Sequence, residues 1–320
     1  MTGHLIGHLQ LNIPEIIKTA IFYYNGVPVF FALSGYLIWG SIERSSSAKE
    51  FYTKRFLRIY PELWVAVIVE LITMIMLYDG IEWRSFLLFG LGQSTVFQFW
   101  TPTSLRGYGV GAPNGALWTT GIIVQFYVVS YPFKKYLMQK NRKLGMWIIG
   151  FAATIMISWL GDYVTGYTGI NILGKLFGQT IFRYFWMFYI GMFIADYSAV
   201  VLPVIKRSWW ALSIAGILFY LTSFDVNFGY YLLWSIMLVS GAIGFAFRFP
   251  QFEIPVDISY GLFLYHMTVV NVFVNFNLIG NWGYALIICI ISAAFAWISS
   301  ITVGKYSYEL KDRLLEKKSQ

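Results

Sequence analysis

Apolar runs of membrane-spanning length recur along this chain, and no other feature limits its fold as strongly. A helix needs about 20 mostly apolar residues to cross the hydrocarbon core of a bilayer. By that measure spans are expected at Ile21–Gly40, Leu63–Leu77, Ala116–Phe133, Gly145–Leu160, Leu176–Ala195, Trp209–Phe224, Tyr230–Phe247, Ile258–Phe276 and Tyr284–Gly304. Met1 to Leu11 reads as the last part of a further span, ending at the helix-breaking Asn12-Ile13-Pro14. With 58% hydrophobic and 12% charged residues, the chain lacks the polar side chains to cover a water-soluble globule of 320 residues. The expected fold is all-α: one polytopic membrane domain of about ten transmembrane helices, the first of them truncated. The 13 tryptophans and 23 tyrosines suit the headgroup levels of the membrane.

Charge distribution supplies an orientation. Arg44, Lys49, Lys54, Arg55 and Arg58 lie between two apolar runs, and Lys134, Lys135, Lys140, Arg142 and Lys143 between another two. Lys206, Arg207 and Arg248 follow, and the tail carries Lys305, Lys311, Arg313, Lys317 and Lys318. Most of the 23 lysines and arginines thus fall on alternate segments, as cytoplasmic loops require, while the opposite loops carry Asp79, Glu82, Asp162 and Asp225. The alternation holds if 85–100 is re-entrant or interfacial inside a long outer loop from Tyr78 to Gly115. Both ends are then expected in the cytoplasm and the protein in the inner (plasma) membrane. The basic clusters lie outside any folded polar domain, so the net charge of +8 reads as an orientation signal and not as nucleic-acid binding. No charged leader precedes the first apolar residues, so no cleaved signal peptide is expected. The tail 306–320 suits a short amphipathic helix on the membrane surface. The sequence does not indicate an oligomeric state.

Ionisable groups at membrane depth are costly and therefore candidates for function. The chain has three histidines, His4, His8 and His266, each in or beside an apolar segment, and imidazole is the side chain best suited to move a proton near neutral pH. His4 and His8 are four residues apart and share a helix face. No companion carboxylate completes a metal site there, and the single Cys289 sits in an apolar run, so no metal is expected. His266 reads equally well as a packing residue or a site member. Arg55 and Arg58, three apart, suit either anchoring to the cytoplasmic face or a grip on phosphate. Gly107, Gly109, Gly111 and Gly115 follow no strand, so they are not a nucleotide fingerprint and read as a flexible outer loop.

Four stretches in order resemble the acyltransferase 3 family of membrane proteins. Asn25-Gly26-Val27-Pro28-Val29-Phe30-Phe31-Ala32-Leu33-Ser34-Gly35-Tyr36 is similar to its second-helix signature, and Phe51-Tyr52-Thr53-Lys54-Arg55-Phe56-Leu57-Arg58-Ile59-Tyr60-Pro61 to the arginine motif that follows. Pro113-Asn114-Gly115-Ala116-Leu117-Trp118-Thr119 with Gln125-Phe126-Tyr127 resembles the central tryptophan motif. Asp257-Ile258-Ser259-Tyr260-Gly261-Leu262-Phe263-Leu264-Tyr265-His266 resembles the late-helix motif.

The resemblance implies transfer of an acyl group, usually acetyl, from cytoplasmic acyl-coenzyme A to a hydroxyl of a surface polysaccharide or its lipid-linked precursor. Acetyl-CoA or another acyl-CoA is then a donor substrate, with no permanently bound cofactor, and the partners are membrane lipid and a glycan acceptor. His4 matches the family's presumed catalytic histidine, with His8 as the alternate. Arg55 and Arg58 would hold the donor's phosphates. Ser34, Tyr60, Trp118, Gln125, Tyr127, Ser259, Tyr260 and His266 fall in the motifs as substrate or structural positions. Two positions depart from the family: Met1 lies three residues before His4, so the arginine expected about three turns before the histidine is either cut off with a truncated start or missing, and Ile123 stands where the tryptophan motif carries glutamate. These departures keep open a non-catalytic relative that binds or conducts a lipid-linked glycan. A secondary transporter would show paired broken helices in two halves, and no such repeat is found.

Overall fold

The protein is described by a computed structural model covering residues 1–137, 143–222, 228–249 and 254–316. Lys140, Arg142, Asp225, Lys317 and Lys318 from the charge pattern lie outside the described residues. The described elements are helical: α1 (Thr2–His8), α2 (Glu15–Tyr23), α3 (Gly26–Glu43), α4 (Ala48–Leu77), α5 (Trp83–Gln93), α6 (Trp118–Pro132), α7 (Lys143–Thr168), α8 (Asn171–Phe177), α9 (Ile181–Asp196), α10 (Ser198–Thr222), α11 (Phe228–Arg248), α12 (Ser259–Asn275), α13 (Trp282–Ser299) and α14 (Lys305–Glu316).

Six described helical stretches are long and apolar enough to cross a membrane: Glu15–Glu43, Ala48–Leu77, Leu144–Thr168, Ser198–Leu221, Phe228–Arg248 and Trp282–Leu315. The chain is a multi-pass membrane protein. Three further expected spans form the shorter helices α6, α9 and α12, of 15, 16 and 17 residues. At 1.5 Å per residue such helices cover roughly 22–26 Å, a little less than the hydrocarbon core. A π turn, Phe133–Leu137, lengthens α6. Segment 85–100, by contrast, holds too short a helix to cross. Its helix α5 has 11 residues and ends in a turn closed by Gln93 and Gln98, whose side-chain amides donate to each other's backbone carbonyls at 3.2 and 3.3 Å.

Several boundaries differ from the sequence reading, for one reason: charged residues at the ends of apolar runs stay helical instead of starting loops. The arginine segment is the first part of α4, continuous with the span after it. Lys206 and Arg207 lie inside α10. Asp162 is within α7, where Arg183 Nε pairs with it at 3.3 Å, not in an outer loop. The tail helix α14 continues α13 through the π turn Ser300–Gly304.

The described residues cluster into two compact units built from discontinuous stretches. The first contains Met1–Ile17, Tyr52–Gly121 and Glu253–Gln320; the second contains Lys18–Phe51 and Ile122–Phe252. In the first unit, α12 packs on α13 and α1 packs on α12. Its smaller core joins Met74 of α4 and Phe86 and Phe89 of α5 to Leu105 and Tyr108. In the second unit, α3 packs on α9, α7 on α9 and α10 on α11. The α3–α9 crossing is a backbone contact. A side chain at Gly35 would strike the Phe188 carbonyl, and one at Gly191 would strike the Ala32 carbonyl. Small residues at such crossings allow the close approach that holds helices together in lipid.

The glycine-rich segment 107–115 is not a free loop. Asn271 of α12 accepts from the Val110 amide at 2.7 Å and donates to the carbonyls of Ala112 and Pro113 at 3.1 and 2.6 Å. Asn114 donates to the Leu264 carbonyl at 2.8 Å. Gly109 has φ +55°, and a side chain there would overlap Asn271. Asn271 on α12 and Asn114 within the segment therefore fix the expected flexible loop onto α12.

Candidate active site

The three histidines converge within the first unit. In α1 the i, i+4 spacing stacks His4 on His8, with ring centroids 5.6 Å apart and His4 Nδ1 3.5 Å from His8 Nε2. The packing of α1 on α12 brings His266 to His4, centroid to centroid 5.4 Å at a tilt of 55°. His266 is buried, and its Nδ1 lies 2.9 and 3.0 Å from the carbonyls of Leu262 and Phe263 in the preceding turn. The described residues include no group of three or more His, Cys, Asp or Glu arranged to hold a metal ion.

Two turns before His266, α12 meets α4. Arg58 donates to Asp257 Oδ2 at 3.2 Å, and its guanidinium lies 5.7 Å from the centre of the Tyr260 ring. Tyr260 donates to the Ile59 carbonyl at 3.0 Å, which fixes the ring against α4. Ser259 donates to Asp257 Oδ1 from its hydroxyl at 2.6 Å and its amide at 3.0 Å, closing the start of α12. Burial alone would raise the Asp257 carboxyl, but the Ser259 bonds and the Arg58 charge outweigh it and hold the group below the usual carboxylate range. Glu62, one turn beyond Arg58 on α4, is buried and accepts from Ser299 at 3.1 Å, just before the π turn that joins α13 to α14.

Aromatic contacts connect these two clusters. Tyr260 stacks on Phe263 at 6.3 Å, and Phe263 contacts His266 at 6.5 Å. A continuous series of rings therefore runs from Arg58 through Tyr260, Phe263, His266 and His4 to His8, and its stretch along α12 rises about 9 Å.

The other expected positions have separate surroundings. Tyr60 stacks on Phe56 at 4.8 Å and contacts Trp64 at 5.8 Å, while Arg55 is half-buried on the same helix. Trp118 opens α6 in the first unit. Ser34, Gln125 and Tyr127 belong to the second unit. Ser34 is half-buried beside Gly35. Gln125 closes the start of α9, accepting from the Ile181 amide at 2.9 Å and donating to the Gln179 carbonyl at 3.0 Å. Ile123 is buried on α6, and its side chain contributes no polar group.

The sequence reading missed Glu62, Asn114, Asn271 and Asp257 as site-shaping residues, and Glu70 as a buried carboxyl. Glu70 had a legible signal, since it is a carboxylate inside the apolar run Leu63–Leu77.

The family model for the acyltransferase domain matches residues 1–301. The chain belongs to the acyltransferase 3 family. Within the reach of that match lie the histidine cluster, the Arg58–Asp257 pair and the tryptophan segment. This acyltransferase 3 protein is 26% identical, over an alignment of 352 positions, to nodulation protein 10 of Rhizobium leguminosarum bv. viciae. That alignment takes in 99% of this chain and 92% of the relative. It is also 26% identical over 147 positions to peptidoglycan O-acetyltransferase OatA of Listeria monocytogenes serovar 1/2a, covering 42% of this chain and 24% of that one. No solved structure matches it.

Proposed function

We propose that the protein transfers an acyl group, acetyl in the simplest case, from acyl-CoA to a hydroxyl of a surface polysaccharide or its lipid-linked precursor. The observation that carries this reading is the convergence of all three histidines in one unit, two turns along α12 from an arginine. A peptidoglycan O-acetyltransferase among its relatives supports hydroxyl acylation and a cell-envelope acceptor.

The chemistry needs three things. The donor must be anchored, the hydroxyl must lose its proton as it attacks the thioester carbonyl, and the leaving thiolate must be protonated. Arg58, with Arg55 one turn away, is the anchor in this reading, a planar fork suited to phosphate. One guanidinium nitrogen of Arg58 is paired with Asp257 Oδ2, and a donor phosphate would compete with that carboxylate. His4, with His8 beside it, contributes an imidazole that contacts the acceptor hydroxyl in the transfer step. The orientation assigned from the charge pattern puts Arg55 and Arg58 on the cytoplasmic side, where acyl-CoA is available, with both chain ends on that side of the inner membrane.

Buried Ile123, at the position of the family's glutamate, favours a second reading, a relative that binds a lipid-linked glycan without acylating it. Membranes containing this protein, incubated with acetyl-CoA labelled in the acetyl group, separate the two. Label in envelope glycan that requires the protein is the expected result. Glycan that stays unlabelled while the protein is inserted and folded would rule out the transferase reading. Separately, Arg55→Ala or Arg58→Ala is expected to weaken acetyl-CoA binding about tenfold, and unchanged binding would return these arginines to membrane anchoring.

A further inference from the structure

His266 presents an unused base. Only 3% of the residue is exposed, yet Nε2 has no hydrogen-bond partner. The opposite nitrogen fixes the state of the ring. Nδ1 faces two backbone carbonyls, which only accept, so Nδ1 carries the proton and the lone pair of the neutral ring sits on Nε2. His4 and His8 have no such constraint, because they face each other and either can donate. Of the three imidazoles, His266 alone has its tautomer set by the backbone.

A buried acceptor left without a donor costs about 1–3 kcal/mol. Packing alone does not require that cost, since an apolar side chain of similar volume at this position would fill the same space without it. A group arriving with a proton to give does explain it. The His4 ring lies beside that of His266, centroid to centroid 5.4 Å.

We propose that His266 Nε2 is the base that receives the proton of the acceptor hydroxyl, and that His4 is the neighbour that holds the hydroxyl in place. The inference rests on the acyl-transfer reading and deepens it. As the hydroxyl oxygen bonds to the thioester carbonyl carbon, its proton passes to His266 Nε2. The carbon–sulfur bond then breaks and the thiolate leaves with the electron pair. The imidazolium returns the proton to that sulfur, which leaves ester, free thiol and a neutral ring. Nδ1 keeps its proton throughout, and its bonds to the Leu262 and Phe263 carbonyls stabilise the imidazolium while it exists.

Two substitutions test this in the full-length protein in membranes, with labelled acetyl-CoA and glycan acceptor. His266→Asn keeps an amide N–H near Nδ1 for the helix carbonyls and removes Nε2. His266→Gln places a non-basic amide near the Nε2 position. Each is expected to lower kcat about 100-fold or more while KM for acetyl-CoA stays within about threefold. Thermal unfolding in detergent identifies the folded variants, and if one fails to fold the other decides. A folded variant that keeps kcat within about threefold of the parent overturns the role of His266 and leaves the acyl-transfer reading standing. A parent protein that transfers no label would remove that reading and this inference together.

Discussion

The two units handle polarity in opposite ways. In the second, the interior is aromatic: Phe126 contacts Phe31 at 5.2 Å and Phe188 at 4.5 Å, and Trp147 contacts Trp39 at 5.1 Å and Tyr189 at 4.7 Å. Its described carboxylates are matched. Asp196 accepts from the indoles of Trp39 and Trp147 at 3.1 and 2.8 Å, and Lys134 pairs with Glu43 at 2.8 Å. The first unit buries His266 with Nε2 unpartnered and Glu70 with both carboxyl oxygens unpartnered. Among the described residues, the buried unpartnered side-chain atoms of the second unit are Gln179 Oε1, Trp234 Nε1 and Ser235 Oγ, none of them ionisable. Lipid exacts a high cost for unmatched polar groups, so a unit that retains them bears a cost that stability does not explain. The difference supports the proposed placement of the transfer step in the first unit.

The contrast can be broken at its strongest point, the α3–α9 crossing. Gly191→Leu forces these helices apart and is expected to cost about 3 kcal/mol or more, seen as loss of a monodisperse protein in detergent. A variant that folds and melts like the parent would show that the second unit is not held by backbone contact. Asn271→Ala releases segment 110–113 and should cost about 2 kcal/mol, with cleavage appearing at 106–115 on limited proteolysis. Unaltered cleavage would mean that other contacts fix the segment.

Two smaller effects sharpen the comparison. Glu70→Leu removes an unmatched buried carboxyl, so it should raise thermal stability, by about 1 kcal/mol. A fall would show that Glu70 is matched by groups that only its carboxyl can satisfy. Asp257→Asn should cost only about 0.5 kcal/mol, because the pair with Arg58 is solvent-accessible. The pH dependence has a definite sign. The Asp257 carboxyl is depressed in the folded protein, so its contribution is complete above the usual carboxylate range and disappears as pH falls through the lower folded value. Parent and variant should differ equally at pH 7 and pH 5, roughly, and converge in stronger acid. A gap that widens in acid would contradict the pairing.

Apolar run length made the helical bundle legible, and most spans fall where it put them. The ends of helices were less legible, because charges such as Asp162 and Lys206 stay helical when a neighbouring helix or the interface receives them. The His4–His8 pair was visible from spacing alone. Its meeting with His266 was not, since nothing local in either segment encodes the docking of α1 on α12. The same holds for Arg58 and Asp257, 199 positions apart. The pinning of the glycine segment had a readable cue that was passed over: Asn271 lies in the middle of an apolar helix, where an amide needs partners.

We propose a location for acyl transfer, the histidine cluster of the first unit. It is tested most directly by the rate of acetyl transfer from acetyl-CoA to glycan in membranes holding equal amounts of parent protein or His4→Ala. The expected result is a fall of about 100-fold or more with the fold intact. A folded His4→Ala protein that transfers acetyl at the parent rate would contradict it.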